Sequence, residues 1–167
     1  MAQRKIFDEP DGCHYVTFST YQRRRFLEPE RTRSIVMEVL QNSLLTHEAA
    51  CHAFVVMPNH VHAIITTSSI TSFMLSWKKT SSYRIKKFYS QELTKYYDLC
   101  PESCPIWQAK FYDFNLESEQ KYLEKIEYIH NNPVVAGIAE AFIDWKWSSA
   151  RFYYLEEDVG VPITLSR

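Results

Sequence analysis

No run of apolar residues in this chain approaches the ~18 that a membrane span requires. The opening residues, with Arg4 and Lys5, lead into acidic sequence rather than into the apolar core of a leader. Together these absences set the expectation of a cytoplasmic protein with no membrane contact. A second Cys or His pair with matching spacing is missing near Cys100 and Cys104, which could be half of a zinc knuckle. The four cysteines therefore read as reduced structural residues. Net charge is lacking too: at −1 the molecule as a whole offers no electrostatic attraction for nucleic acid. There is no low-complexity segment.

What is present is apolar content of 46% over 167 residues, enough for one domain with its own core. The single domain is expected over residues 1–167, with its core at about 13–154 and an acidic tail at 155–167. Charge is segregated along the chain. Lys78, Lys79, Arg84, Lys86 and Lys87 occur with no acid between residues 71 and 91, and Arg23, Arg24 and Arg25 form a second basic block. The acids gather at 117–127 and 156–158, so the basic segments could bind phosphate locally despite the neutral total.

Residues 14–20 are aromatic and β-branched and predict a first strand. In 30–46, Ile35, Val36, Val39, Leu40 and Leu44 recur at helical spacing. Strands are predicted at 51–57 and 60–66 around the turn signal Pro58-Asn59, which would set Val55 opposite His62 and Met57 opposite His60. A second helix carries Phe73, Met74, Trp77, Tyr83, Ile85 and Phe88 together with the basic run. Residues 107–114 predict a fourth strand. Strand, helix, strand, strand, helix, strand is the split β-α-β order of an α+β, ferredoxin-like antiparallel sheet with helices on one face. Parity puts Phe54, Val56, Val61, Ala63 and Ile65 under those helices, and His60 and His62 on the other, open face.

A third helix is expected from the N-cap Ser118, with Tyr122, Leu123, Ile126 and Ile129 as its apolar stripe and an end before Pro133. Gly137 serves the turn beyond. Tyr128 lies off that stripe, some 200° from Ile126, and shares its side of the helix with Lys121, Glu124, Lys125 and Asn132. A short aromatic helix over 145–154 would close the core. Paired imidazoles on a strand suit a cation but leave a third ligand to be found.

Pro58-Asn59-His60-Val61-His62, Trp107-Gln108-x-x-Phe111, Tyr128-Ile129-x-x-Asn132-Pro133-Val134-x-x-Gly137 and Trp147-Ser148-Ser149 occur in this order. In that combination the chain resembles the single-tyrosine HUH transposases, closest to the REP-associated tyrosine transposases and small insertion-sequence transposases. The resemblance implies that His60 and His62 hold a divalent cation, magnesium or manganese, with Asn132 as third ligand. It implies that Tyr128 is the nucleophile, on a C-terminal helix added to the ferredoxin-like sheet. The substrate implied is single-stranded DNA folded into a hairpin, cut and rejoined through a 5′-phosphotyrosine. A phenol leaves more readily than an alkyl hydroxyl, so a free 3′-hydroxyl can reverse the bond without a nucleotide cofactor. Tyr122 would be the next candidate nucleophile.

Arg23, Arg24, Arg25, Lys78, Lys79, Arg84 and Lys110 are the candidate DNA contacts, with Trp77, Tyr83, Phe88 and Tyr89 as nearby stacking rings. Two other readings stay open: a non-catalytic, domesticated binder of structured single-stranded DNA, and a ferredoxin-like RNA-binding module, which would need stacking aromatics on the central strands. Monomer and homodimer, with the tyrosine serving its own chain or its partner, are both open.

Overall fold

The computed structural model describes residues 11–92 and 103–165. Cys100, half of the candidate zinc pair, lies outside them, as do Arg4 and Lys5. Four strands, β1 (Gly12–Ser19), β2 (Ala50–Val56), β3 (His60–Thr67) and β4 (Tyr112–Asn115), form one sheet in the order β2-β3-β1-β4, with every neighbouring pair antiparallel. Helices α1 (Glu30–Thr46) and α2 (Ile70–Glu92) make the two crossovers, and α3 (Glu119–Val135) and α4 (Ala150–Leu155) follow the last strand. This is the ferredoxin-like arrangement that the element order predicts. Among the described residues no helix is long and apolar enough to cross a membrane.

Strand parity builds two cores. Val16, Phe18, Phe54, Val56, Val61, Ala63 and Ile65 point toward α1 and α2 and pack with Val36, Leu40, Phe73 and the fully buried Trp77. Tyr15, Ala53, Val55, Met57 and Ile64 point the other way and pack under Tyr122, Ile126 and Ile129 of α3. A bulge between Cys51 and Ala53 inserts His52 and shifts the register, which is why Cys51 belongs to the first core and Ala53 to the second. The hairpin pairs Val55 with His62, and the Met57 amide donates to the His60 carbonyl at 2.8 Å, as the two-residue turn requires.

Five expectations need correction. The fourth strand is not 107–114 but Tyr112–Asn115. Trp107 makes an isolated bridge to Thr20, its indole donates to Ser81 Oγ at 3.0 Å, and Lys78 holds the Gln108 and Ala109 carbonyls at 2.7 and 2.9 Å. These anchors to α2 pull two extra residues out of the β1 edge before pairing resumes at Thr17 and Tyr112.

The tyrosine helix does not stop before Pro133 but runs to Val135. Its end is satisfied by Ile138 N–H donating to Pro133 O and Gly137 N–H to Val134 O, with Gly137 at φ +70°, a Schellman cap that offsets the missing proline donor. Leu123 is exposed rather than part of the stripe, because the buried side steps through Tyr122, Ile126, Ile129 and Pro133.

The aromatic helix begins only at Ala150. Before it, residues 147–149 run along the edge of β2: Val56 N–H donates to Trp147 O and Ser149 N–H to Phe54 O. That pairing covers backbone groups an edge strand would leave open. Finally, the domain core does not end at 154, since Val161 is buried with the first core and Thr164 N–H donates to Cys51 O at 2.8 Å.

Candidate functional site

Antiparallel register sets Thr17 opposite His62 and Ser19 opposite His60, so Tyr15 and Thr17 share a face with the two histidines. His62 is nearly buried, and its Nδ1 lies 2.7 Å from Thr17 Oγ1 and 2.9 Å from Tyr15 Oη. With Nδ1–H donating to the Thr17 oxygen, Nε2 keeps its lone pair. Burial drives the His62 pKa down to about 3, and the charges of His60, Lys125 and Arg23 push the same way. The ring is therefore neutral near pH 7. Burial also lowers His60, with Arg23 adding to it and a hydrogen bond to Asn132 opposing it. The Tyr15 phenol is pushed up to about 12, chiefly by burial, so it stays protonated.

The partners of Asn59 favour one His60 tautomer, with the hydrogen on Nδ1. Asn59 Nδ2 donates to the Arg23 carbonyl at 3.3 Å, which turns Asn59 Oδ1 toward His60 Nδ1 at 2.7 Å. The Nδ1–H donor leaves a lone pair on Nε2, and that atom faces Asn132 Oδ1 at 3.3 Å. In that tautomer a proton or a cation would satisfy both atoms at once. Among the described residues no group of three or more His, Cys, Asp or Glu could hold a metal ion. The donors that His60, His62 and Asn132 offer here are two imidazoles and an amide oxygen, all neutral.

The helix that brings Asn132 also brings Tyr128. Ser118 caps it, its Oγ accepting from Lys121 N–H at 3.3 Å, and Ile126 and Ile129 bury it against β2 and β3. Burial of each such side chain contributes roughly 2 kcal/mol. Tyr128, off the stripe, stays 49% exposed. Its ring meets His62 edge-on at 5.5 Å and Tyr15 at 6.3 Å.

His130 secures α3 from behind. Its Nε2 hydrogen-bonds with Ser149 Oγ at 2.8 Å, and that oxygen accepts from the Phe54 amide. The Trp147-Ser148-Ser149 stretch is thus a strut between the edge strand and this helix. Arg23, Lys110, Lys125, His62, Tyr128 and Tyr112 line one cleft of about 500 Å³ over β1.

The predicted residues divide. His60, His62, Asn132, Tyr128, Arg23 and Lys110 meet at or beside the cleft. Lys78 is spent on the loop carbonyls before Lys110, Arg84 pairs with Glu38, and exposed Lys79 shares α2, across the sheet from His62. Arg25 pairs with Glu28, and Arg24 reaches toward Cys104 Sγ at 4.0 Å. Trp77 and Tyr89 are core residues, while Tyr83 is exposed. The fallback nucleophile Tyr122 is buried against His52, out of the cleft. Sequence reading missed Tyr15, Thr17, Tyr112 and Lys125. The first two were reachable in principle from the β1–β3 register, but nothing in the sequence announced that register.

A ferredoxin-like sheet whose second face carries two imidazoles beneath a tyrosine helix defines a narrow structural class. The profile of the IS200-like transposases matches residues 12–132, and the chain belongs to that family. It is 28% identical over 102 residues to a REP-associated tyrosine transposase of Escherichia coli, covering 59% of this chain and 52% of that one. Over 130 residues it is 22% identical to a Haemophilus influenzae protein provisionally described in the same words, covering 72% and 73%. A further Haemophilus influenzae protein, uncharacterized, is 28% identical over 104 residues, and the chain spans 58% of its length. Among solved structures, that of a REP-associated tyrosine transposase bound to a REP hairpin superposes with TM-score 0.72 at 18% identity, covering 100% of this chain and 94% of the other, a likeness of fold.

Proposed function

We propose that this protein is a transposase that cuts and rejoins hairpin-forming single-stranded DNA by transesterification, with Tyr128 as the nucleophile. The observation that carries this reading is that Tyr128 meets His62 in the cleft while His60 Nε2 faces Asn132 Oδ1 beside it. Arg23 and Lys110 line or flank the path and would bind the backbone phosphates. Tyr128 Oη attacks the scissile phosphorus, the P–O3′ bond breaks, and the phenol proton ends on the departing 3′-hydroxyl. The new 5′-phosphotyrosine keeps the bond energy for the reverse attack. His60, His62 and Asn132 would hold a divalent cation, magnesium or manganese, whose chemistry is Lewis-acid neutralisation of phosphate charge. Thr17 and Tyr15 fix the His62 ring for that purpose.

The test is incubation with a pool of DNA hairpins and manganese, followed by denaturing electrophoresis and sequencing of trapped adducts. The wild-type chain should form a covalent adduct and Tyr128→Phe none. Hairpin binding without any adduct would favour the domesticated, non-catalytic binder.

A further inference from the structure

Lys125 sits one helical turn before Tyr128, and its position is unusual for a lysine on an exposed helix. Its ammonium lies 4.5 Å from the centre of the Tyr15 ring and 5.3 Å from that of Tyr128. Lys121, a turn earlier, instead lies over Phe114, away from the histidines. Among the described residues Lys125 makes no ion pair, although Glu124 and Glu127 flank it on the same helix. It is half-buried, lines the same cleft as His62 and Tyr128, and its charge reaches His62. A cation held over two aromatic faces, rather than on a carboxylate, keeps its charge available to an anion that enters the cleft. Arg23 and Lys110 line that cleft as well, but among the described residues only Lys125 has its cation over the Tyr128 ring.

We propose that Lys125 is a further catalytic residue, whose ammonium contacts the anionic oxygens of the scissile phosphate beside Tyr128 and offsets the charge that develops as the phenol oxygen attacks and later leaves. The proposal rests on the transesterification reading above. It also explains why Tyr15 is placed where it is: the buried ring holds His62 through its hydroxyl and Lys125 through its face. No proton or electron is consumed beyond that reaction, because the ammonium acts by charge alone.

The experiment uses the full chain and a synthetic hairpin carrying the junction recovered from trapped adducts, under single-turnover conditions with manganese. Lys125→Met should slow adduct formation on the order of 10²-fold, Lys125→Arg should recover most of that rate, and hairpin affinity should change only slightly. The discriminating substrate replaces one anionic oxygen of the scissile phosphate with methyl. On this neutral methylphosphonate the gap between wild type and Lys125→Met should shrink to a few-fold. An equal gap on both substrates, or full activity of Lys125→Met on the phosphodiester, overturns the role of Lys125 while leaving Tyr128 in place. Failure of the wild-type chain to form any adduct, or an adduct that survives Tyr128→Phe, instead removes the reading on which the proposal stands. Circular-dichroism melting of both variants separates misfolding from slowed chemistry, and the Arg variant decides if Met fails to fold.

Discussion

Alternate residues of the same strands face two different environments. Beneath α1 and α2, Val16, Phe18, Val61 and Ala63 meet Trp77 and Phe73 in an apolar core, with the buried His14–Asp113 pair on the same face at its β4 edge. One residue over, Tyr15, Thr17, His60 and His62 face α3 and the cleft, where polar atoms are placed in pairs. The first face is closed mainly by apolar packing, and the second joins an apolar core under α3 to a hydrogen-bonded cleft. Substitutions in the first core should therefore change stability and leave chemistry intact in the folded fraction, while those at the polar pairs lining the cleft should change chemistry more than stability.

The largest test of that contrast is Trp77→Ala. The ring is fully buried and its indole donates to Val36 O at 3.0 Å. Truncation should cost about 3–5 kcal/mol in urea unfolding, with the adduct rate per folded molecule unchanged.

Acid should act on the second face. His130 is buried and its pKa falls to about 4, from desolvation. The unfolded chain binds the proton near the ordinary histidine value while the folded chain refuses it, so stability is intact above about 6.5 and is lost as pH falls toward 4. Between pH 7.5 and 5 this one group should remove about 2 kcal/mol, read by urea titration at the two pH values. His130→Gln should flatten that slope.

Thr17→Val keeps the volume and removes the nearer partner of His62 Nδ1. With Tyr15 still in reach, manganese affinity and adduct rate should fall about tenfold, and the urea midpoint should stay in place. The smallest contrast is among basic residues. Lys110→Ala should weaken hairpin binding and lower the slope of log affinity against log salt by about 0.7. Arg84→Ala, whose partner is Glu38 on α1, should leave that slope alone.

Much of this contrast was legible in the sequence. Element order and parity placed Phe54, Val56, Val61, Ala63 and Ile65 under the helices and His60 and His62 on the other face, because period-2 alternation survives wherever one face is buried. Tyr128 stood out because it broke a helical stripe. The failures have local causes. Residues 107–111 look like strand by composition, yet Trp107 and Lys78 anchor them to α2. Asn132-Pro133 looks like a helix stop, yet a glycine cap five residues beyond Asn132 supports another turn. The basic run looked like one DNA surface, but which lysines are already engaged is decided by tertiary partners such as Glu38 and the Gln108 carbonyl. Lys125 was hidden for a similar reason, since its aromatic neighbour Tyr15 is 110 residues away in the chain.

The central claim is that the open face does its chemistry through Tyr128. The most direct measurement is mass spectrometry of peptides from the covalent protein–DNA adduct. The account predicts a nucleotide joined through its 5′-phosphate to Tyr128 alone. Attachment at Tyr15 or Tyr112, the other phenols of the cleft, would contradict it.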